Sequence, residues 1–250
     1  PAEAIKEIQI VRGAASLQYG TQFGGLINFV LKEPPNKKID AIIRNTIGSN
    51  NQYTNFTSIG GKKNKFSFYA FYNHKRGDGF RNNSNYKSNN VYVHLKQNLS
   101  NKSELSGEVT YMNYLAKQAG GLSDRMFINN PMQSNRSRNW FELDWLLYNF
   151  KFKYRFNEKT NLSFSLFGLD AERNTVGFRT NRVDQIDPLT ERDLIRGNFN
   201  NHGLELKILR KYKINEKKGT FVLGGKYYRS KSLSKQGPGS EGSDADFNIY

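Results

Sequence analysis

LLYNFKFKYRFN, residues 146–157, alternates apolar and polar side chains with a period of two. Successive side chains of an extended chain point to opposite faces, so the pattern predicts a strand with one oily face and one charged face. The apolar set is Leu146, Tyr148, Phe150, Phe152, Tyr154 and Phe156, and the polar set is Asn149, Lys151, Lys153 and Arg155.

The same period recurs along most of the chain beyond residue 36. The segments predict about nine strands of roughly 9–13 residues, longer than the ~5–6 residues typical of globular sheets. A tilted strand that crosses a bilayer needs ~9–11 residues, so these lengths suit a membrane barrel. The alternating positions that mark these strands lie within residues 39–47, 52–60, 66–74, 91–99, 105–111, 146–156, 162–166, 204–208 and 221–227.

The connections between these strands alternate in length after the first hairpin. Short turns read KKN, SNKS, NEKT and INEKKG, whereas long connections cover residues 75–88, 116–145 and 172–201. Outer-membrane barrels have short periplasmic turns at one rim and long extracellular loops at the other. The alternation therefore predicts an all-β fold, a transmembrane antiparallel β-barrel, with the three long loops outside the cell.

A soluble all-β protein with a shared apolar core is the alternative. It is disfavoured because the second face of each strand is too charged to line a dry interior. In a large barrel the apolar faces meet lipid, and lysine, arginine, asparagine and threonine line a wet lumen. Aromatic side chains toward strand ends fit the interfacial girdles of such barrels. These are Tyr111, Tyr114, Trp145, Tyr148, Tyr227 and Tyr228.

Composition narrows the classes further. The 250 residues contain no cysteine, which excludes disulfides and thiolate metal sites, and no run of ~18 apolar residues suggests a membrane helix. The formal net charge of +16 requires an anionic partner or surface. Nucleic acid is not expected as that partner, because the basic residues are dispersed over strand faces and turns and form no single stripe.

Residues 1–36 differ from the rest of the chain. Four glycines at positions 13, 20, 24 and 25 let the backbone reverse direction in a confined volume. EIQIVRG alternates as a short strand, AASLQYG can form a helical turn, and FGGLINFVLK resumes a strand. The Pro34-Pro35 pair then breaks regular structure, which predicts a boundary near residue 36.

The stretch EIQIVRGAASLQYGTQFGGLINFVLKEP, residues 7–34, resembles the end of the plug domain of TonB-dependent outer-membrane receptors. V-x-R-G, Y-G and G-G-hydrophobic-Ile-Asn occur here in the family's order. RGAASLQYGTQFGGLINF is most similar to the ferric dicitrate branch of the siderophore receptors. It is less similar to the SusC-type glycan importers.

The resemblance implies a 22-stranded barrel closed by an N-terminal plug. Residues 1–36 would be the C-terminal part of the plug domain, and residues 37–250 the N-terminal part of the barrel. The implied function is import of a ferric siderophore, ferric dicitrate-like, across the bacterial outer membrane. The TonB-ExbB-ExbD complex would drive it through a segment missing here, and lipopolysaccharide would surround the barrel. Iron would travel as a chelated substrate, with no resident cofactor.

Other functions remain open at this stage. The protein could be a receptor for another nutrient, such as cobalamin or an oligosaccharide, or a passive channel or adhesin. An enzyme is not expected, because His74, His94 and His202 are scattered and lack the spacing of a metal site or a catalytic triad. GTQFGG precedes a strand and so does not match a dinucleotide fingerprint.

The resemblance also assigns roles to residues of the plug motif. It implies that charge pairs hold Arg12 against the barrel wall until pulling disrupts them. The remaining motif positions would shape the backbone without contacting ligand. These positions are Gly13, Tyr19, Gly20, Gly24, Gly25 and Asn28.

The long loops are rich in arginine, which offers bidentate donors to carboxylates and phosphates. They are expected to bind an anionic chelate, and the candidates are Arg125, Arg136, Arg138, Arg179 and Arg182, with Arg173, Arg192 and Arg196 nearby. The alternatives are contact with lipopolysaccharide phosphates, solvation, or ion pairs with Asp184, Asp187, Glu191 and Asp193.

Overall fold

The protein forms two antiparallel sheets. A computed structural model describes residues 1–12, 24–178, 180 and 182–239. The smaller sheet is a hairpin of β1 (Ile5–Val11) and β2 (Leu26–Leu31), preceded by a 3-10 helix at Ala2–Ala4. Both strands confirm the expectation from the alternation in EIQIVRG and FGGLINFVLK. We refer to residues 1–12 and 24–33 as the N-terminal hairpin.

The larger sheet contains nine strands in chain order, each paired antiparallel with its neighbours. The strands are β3 (Asp40–Ile47), β4 (Tyr53–Lys63), β5 (Phe66–Gly77), β6 (Tyr86–Asn98), β7 (Ser103–Lys117), β8 (Trp140–Asn157), β9 (Thr160–Gly177), β10 (Arg192–Ile214) and β11 (Lys217–Gly239). A short helix, α1 (Asp124–Asn129), lies between β7 and β8. The predicted number of strands is confirmed for the described residues.

Several strands are longer than the sequence indicated. β8 and β9 have 18 residues each, and β10 and β11 have 23. The alternation of oily residues ends before the backbone pairing does, because polar side chains continue the outer face toward one rim. The long connections therefore shrink to residues 78–85, 118–139 and 178–191.

The short turns gather at the opposite rim. Asn64 with Lys65, and Asn215 with Glu216, each reverse the chain in two residues. Asn64, Asn215 and Glu216 have φ of 54°, 45° and 69°, the positive region that tight hairpin turns require. The alternation of turn lengths thus corresponds to two distinct rims of the sheet.

The two faces of the sheet differ in composition. The N-terminal hairpin contacts one face, which we call the inner face. The outer face carries exposed apolar side chains, which we call the apolar belt. The belt contains Ile43, Ile59, Phe66, Tyr72, Val91, Val93, Leu95, Leu105, Tyr111, Leu146, Phe150, Phe164, Leu166, Leu204, Leu206, Ile208, Phe221, Leu223 and Tyr227.

The register divides the aromatic residues expected in girdles. Tyr111, Tyr148 and Tyr227 share the outer face. Tyr114, Trp145 and Tyr228 lie on the inner face, so the girdle prediction is wrong for these three. Each of them lies an odd number of residues from the outward-facing tyrosine of its own strand, and successive side chains of a strand point to opposite faces. In the described parts of the chain, no helix is long and apolar enough to span a membrane.

The two described motif glycines should differ in their tolerance of a side chain. Gly25 has φ of 91°, where valine is strained by about 1–2 kcal/mol or more, whereas a Cβ at Gly24 meets no atom of the described residues within 4 Å. We expect Gly25→Val to lower the amount of assembled full-length protein in membranes and Gly24→Val to lower it much less. Immunoblots of membrane fractions measure this, and equal loss in both variants would contradict the conformational argument.

Candidate functional site

The N-terminal hairpin rests on an aromatic part of the inner face. Phe56, Tyr69, Phe71 and Tyr92, which we call the aromatic seat, form one buried cluster with Ala4, and Leu31 packs against it. Phe71 is central, with ring centroids 5.6 Å from Phe56 and 5.4 Å from Tyr92. The side chains of the seat are 1–6 % exposed and Ala4 is 0 % exposed. Dispersion and burial thus attach the hairpin to the sheet.

The seat differs from the wet, cationic lumen that the sequence predicted. β5 has aromatic residues at both even and odd positions, so they lie on both faces: Phe66 is on the outer face, and Tyr69 and Phe71 are on the inner one. A strand that is aromatic on both faces gives no alternation, so the pattern did not reveal this contact.

Ion pairs extend the contact between hairpin and sheet. Glu3 pairs with Arg44 of β3 at 3.3 Å. Glu33 lies 4.0 Å from Lys96 of β6, which pairs with Glu104 of β7 at 2.9 Å. A backbone hydrogen bond lowers the pKa of Glu3, burial opposes this effect, and the Arg44 guanidinium lowers the pKa further. Glu3 therefore stays ionised and paired at neutral pH.

A polar cavity of about 430 Å³ lies between the hairpin and the inner face. Asn28 and Glu33 line it from the hairpin, and Lys96, Glu104 and Lys153 are among the residues that line it from the sheet. The inner face at β6–β8 is therefore charged as the sequence predicted, whereas the face at β4–β6 is aromatic.

The three long connections form one body, which we call the loop cluster: residues 78–85, 118–139 and the described part of 178–191. Arg81 of the first connection donates to the carbonyls of Gly120 at 2.6 Å and Gln133 at 2.8 and 3.0 Å. Asn83 donates to the carbonyls of Gln118 at 3.2 Å and of Asn139 at 3.3 Å. Two side chains thus attach the first connection to the second.

Arg136 attaches the second connection to the third. It is 5 % exposed. Its Nη1 donates to the Gln185 carbonyl at 3.0 Å, and its Nη2 donates to Thr180 Oγ1 at 2.9 Å. The guanidinium also lies 5.3 Å from the centre of the Phe178 ring. Its donors are directed to the protein's own acceptors.

Arg138 makes a bidentate ion pair with Asp187, at 3.2 Å from Nε and 2.7 Å from Nη2. Burial alone would raise the pKa of Asp187. Hydrogen bonds from Arg138 and the Leu189 backbone N–H, with the charges of Arg138 and Arg136, lower that pKa below its ordinary value. Among the roles that the sequence left open for the loop arginines, Arg138 thus has that of an ion-pair partner for a loop carboxylate.

The Asp187 pair should resist mild acid. Because the pKa of Asp187 is lowered on folding, its stabilisation is complete above the unfolded value of about 3.9 and is lost as the pH falls through the folded pKa. We expect proteolysis of the loops to be equally slow at about pH 7 and pH 5 and to accelerate below about pH 4. Asp187→Asn should be cleaved faster at neutral pH; acceleration of wild-type cleavage between pH 7 and 5 would contradict this account.

The remaining predicted ligand residues occupy different positions. Arg125 on α1 and Arg182 in the third connection are exposed, and neither has an ion pair among the described residues. Arg179 lies outside the described residues. Ligand contact by these arginines stays a prediction, and Arg125 and Arg182 are the described candidates with exposed side chains.

The plug-motif residues are only partly described. Gly13, Tyr19 and Gly20 lie outside the described residues. Arg12 follows β1 and is exposed, with no ion pair in the described part of the chain. Asn28 donates to Gln9 Oε1 at 2.9 Å across the hairpin. The role of Arg12 stays a prediction, and Glu3 and Glu33 supply the ion pairs seen between hairpin and sheet.

The three histidines lie apart in the sheet. His74 and His202 are on the outer face. The ring of His74 is hydrogen-bonded to Asn89 at 2.8 Å, and the ring of His202 is hydrogen-bonded to the Tyr148 hydroxyl at 2.6 Å. His94 is on the inner face, 3.9 Å from Glu108. Among the described residues, no cluster of three histidine, aspartate or glutamate side chains could hold a metal ion.

The fold is that of the outer-membrane siderophore receptors. The ferric citrate transporter FecA in its unliganded form matches with a TM-score of 0.80 and 20 % identity, over 94 % of this chain and 35 % of that chain. BauA, the ferric preacinetobactin receptor from Acinetobacter baumannii, matches with a TM-score of 0.80 and 12 % identity, over 94 % of this chain and 37 % of that chain. The ferripyoverdine receptor of the Pseudomonas aeruginosa outer membrane matches with a TM-score of 0.77 and 14 % identity, over 93 % of this chain and 33 % of that chain.

These likenesses confirm the predicted fold class, part of the β-barrel of TonB-dependent receptors. No protein-family model and no curated protein sequence matches the chain. The chain spans about a third of the length of the solved structures. At 20 % identity and below, the likeness shows the fold.

Proposed function

We propose that the full protein imports a ferric siderophore across the bacterial outer membrane by a TonB-dependent mechanism. The observation that carries the proposal is the hairpin seated on the inner face of a sheet whose outer face is oily. A receptor that admits large chelates needs a wide barrel and a removable obstruction within it. The fold shared with siderophore receptors supports the same function.

In this proposal, residues 1–36 belong to the plug and residues 37–250 to the barrel. The loop cluster is extracellular, because the short turns form the opposite rim. Substrate would bind between the loop cluster and the plug. The TonB-ExbB-ExbD complex would act on the plug through a segment outside this chain.

We propose a ferric dicitrate-like chelate as the substrate. The support is the sequence RGAASLQYGTQFGGLINF, which resembles the ferric dicitrate branch, and the exposed cations Arg125 and Arg182. A carboxylate-rich chelate would gain charge-assisted hydrogen bonds from such guanidinium groups.

The experiment is iron uptake by cells that carry the full-length gene as their sole receptor. Ferric citrate, a catecholate chelate and a hydroxamate chelate are supplied separately, with and without a protonophore. We expect uptake of the citrate chelate, abolished by the protonophore. Uptake that survives the protonophore would indicate a passive channel, and uptake of cobalamin or an oligosaccharide alone would redirect the proposal to another nutrient.

The two exposed cations have their own test. We expect Arg125→Gln with Arg182→Gln to lower the affinity for ferric citrate by roughly tenfold, since a hydrogen bond to a charged group contributes about 1.5–3 kcal/mol when buried and less at a surface. Titration of purified receptor with the chelate measures the affinity. Unchanged affinity would remove these residues from the site while leaving the proposed import intact.

A further inference from the structure

A pocket of about 580 Å³ lies on the inner face beside the short turns, and we call it the rim pocket. Its side chains come from two rows that run across the sheet. Lys153, Ser163 and Lys207 are in register across β8–β10. Arg155 and Asn161 are in register two residues nearer the turn between β8 and β9. Three neighbouring strands therefore supply one continuous polar surface.

Cations dominate the rim pocket. Lys102, Lys153, Arg155 and Lys207 line it, whereas Glu104 is its single carboxylate in the described part of the chain. The cavity between the hairpin and the inner face is balanced instead, because three lysines and three glutamates line it together with one histidine. The two spaces share Lys153 and Glu104. Positive charge thus increases along the inner face from the hairpin toward the short turns.

Two of the four cations are not engaged with carboxylates. Lys153 and Lys207 each pair with a glutamate of the sheet, at 3.1 and 2.7 Å. Lys102 and Arg155 are exposed, and neither has an ion pair within the ranges that the structure describes. Their charges are therefore available to an anion that enters the pocket.

Hydrogen bonds hold these two cations in place. Arg155 Nη2 donates to the Asn101 carbonyl at 2.8 Å, and the Arg155 backbone N–H donates to the Lys102 carbonyl at 2.7 Å. Ser100 Oγ accepts from the backbone N–H groups of Lys102 and Ser103, at 3.1 Å each. The turn between β6 and β7 is thus attached to β8, and little ordering is needed before an anion binds.

The width of the rim pocket suits an anion with several carboxylates. Neighbouring strands are about 4.8 Å apart, so the backbones that carry Lys153 and Lys207 are separated by about 10 Å. Ser163 lies between them and offers a hydroxyl. A guanidinium such as that of Arg155 can bind one carboxylate through two parallel hydrogen bonds. A single phosphate or carboxylate would occupy only part of this surface.

We propose that the rim pocket is a second binding site for the anionic polycarboxylate chelate, occupied as the chelate leaves the barrel. The short turns face the periplasm in the proposed orientation, so the pocket lies at the exit of the lumen. The increasing positive potential would attract an anion from the hairpin cavity toward this rim. The inference rests on the proposed import and adds an exit site at the rim opposite the loop cluster.

The test places a reporter thiol in the rim pocket of the full-length protein by Ser163→Cys. The 250 residues contain no cysteine, and any cysteine elsewhere in the protein is replaced by serine. Anionic and cationic methanethiosulfonate reagents are applied to the purified protein in neutral detergent. We expect the anionic reagent to react about tenfold faster, because a cationic cleft concentrates anions.

Protection of this thiol measures ligand binding at the rim pocket itself. Ferric citrate should slow its modification, whereas inorganic phosphate and a ferric hydroxamate chelate without carboxylates should not at the same concentration. Absence of protection by ferric citrate would overturn the proposal. Equal protection by phosphate would overturn the preference for a polycarboxylate.

Neutralising the two available cations provides the decisive comparison. Lys102→Gln with Arg155→Gln should lower the rate of the anionic reagent about tenfold and abolish protection by ferric citrate. The matched control is Lys63→Gln with Lys65→Gln, because these exposed lysines lie near another short turn of the same rim. It should retain both properties. Equal protection in the two double variants would overturn the proposal.

A third variant separates the rim pocket from the loops. Arg125→Gln with Arg182→Gln should leave protection of the thiol introduced by Ser163→Cys unchanged, and loss of protection there would overturn an independent rim site. Absence of iron import by the wild-type protein would refute the proposed transport. Protection that depends on Lys102 and Arg155 would still support the rim pocket as a polycarboxylate site.

Discussion

Ala4→Asp is expected to detach the N-terminal hairpin from the sheet and to make the outer membrane leak. Ala4 is 0 % exposed and belongs to the same buried cluster as the aromatic seat, so the new carboxylate would lie among aromatic side chains. An unpaired charge buried among such groups costs several kcal/mol. The same substitution disturbs neither the strand ladder of the sheet nor the loop cluster, so the barrel should still assemble.

The leak is measured as sensitivity of cells to a hydrophilic antibiotic too large for ordinary porins. The matched control is Ala2→Asp, because Ala2 belongs to the same 3-10 helix and is exposed. We expect Ala2→Asp to behave as wild type, and Ala4→Asp to raise sensitivity at least tenfold at equal protein levels. Equal sensitivity of the two variants would show that the aromatic seat does not hold the hairpin.

The aromatic seat shows where alternation stops being informative. The period of two identified β8, because its inner face carries Lys151 and Lys153 against an oily outer face. It cannot assign a role to β5, in which Phe66 and Phe68 face outward while Tyr69 and Phe71 face the hairpin. A strand that is apolar on both faces loses its alternation.

The strand lengths were underestimated for a related reason. Outward side chains of β8 and β9 change from Leu146 and Leu166 to Asp144 and Asp170 toward the loop cluster. Hydropathy registers this change as the end of a strand. Backbone pairing continues, because hydrogen bonding between neighbouring strands does not depend on side-chain polarity. In the proposed membrane location, the extra length would place the loop cluster beyond the lipid headgroups.

The loop arginines illustrate a different limit. Sequence composition identified Arg136 and Arg138 as candidate donors for an anionic chelate. Arg136 instead donates to backbone carbonyls, which every residue possesses and which leave no trace in the sequence. Arg81 performs the same role for the first connection, and its backbone acceptors likewise leave no sequence pattern. A charged partner is different, because the sequence offers four loop carboxylates as ion-pair partners, and Asp187, which pairs with Arg138, is one of them.

Arg136→Met is expected to separate the third connection from the second. Methionine retains much of the side-chain length but removes the hydrogen bonds to Gln185 and Thr180. Loss of hydrogen bonds from a buried charged group costs about 3 kcal/mol, which increases the population of the open loop roughly a hundredfold. Proteolysis of the loops in intact cells should accelerate by a similar factor, and import should fall for every chelate the receptor accepts.

Arg136→Lys tests whether geometry or charge is responsible. A lysine keeps the charge but cannot present the planar fork of donors that reaches two acceptors at once, so we expect it to restore little of the protection. Arg125→Met is the matched control, because Arg125 lies in the same connection and is exposed. It should leave proteolysis unchanged and, if Arg125 contacts ligand, reduce import of anionic chelates alone. If Arg136→Met were cleaved no faster than Arg125→Met, the loop cluster would not be held by Arg136, and the buried guanidinium would have to be considered again as a ligand group exposed by loop movement.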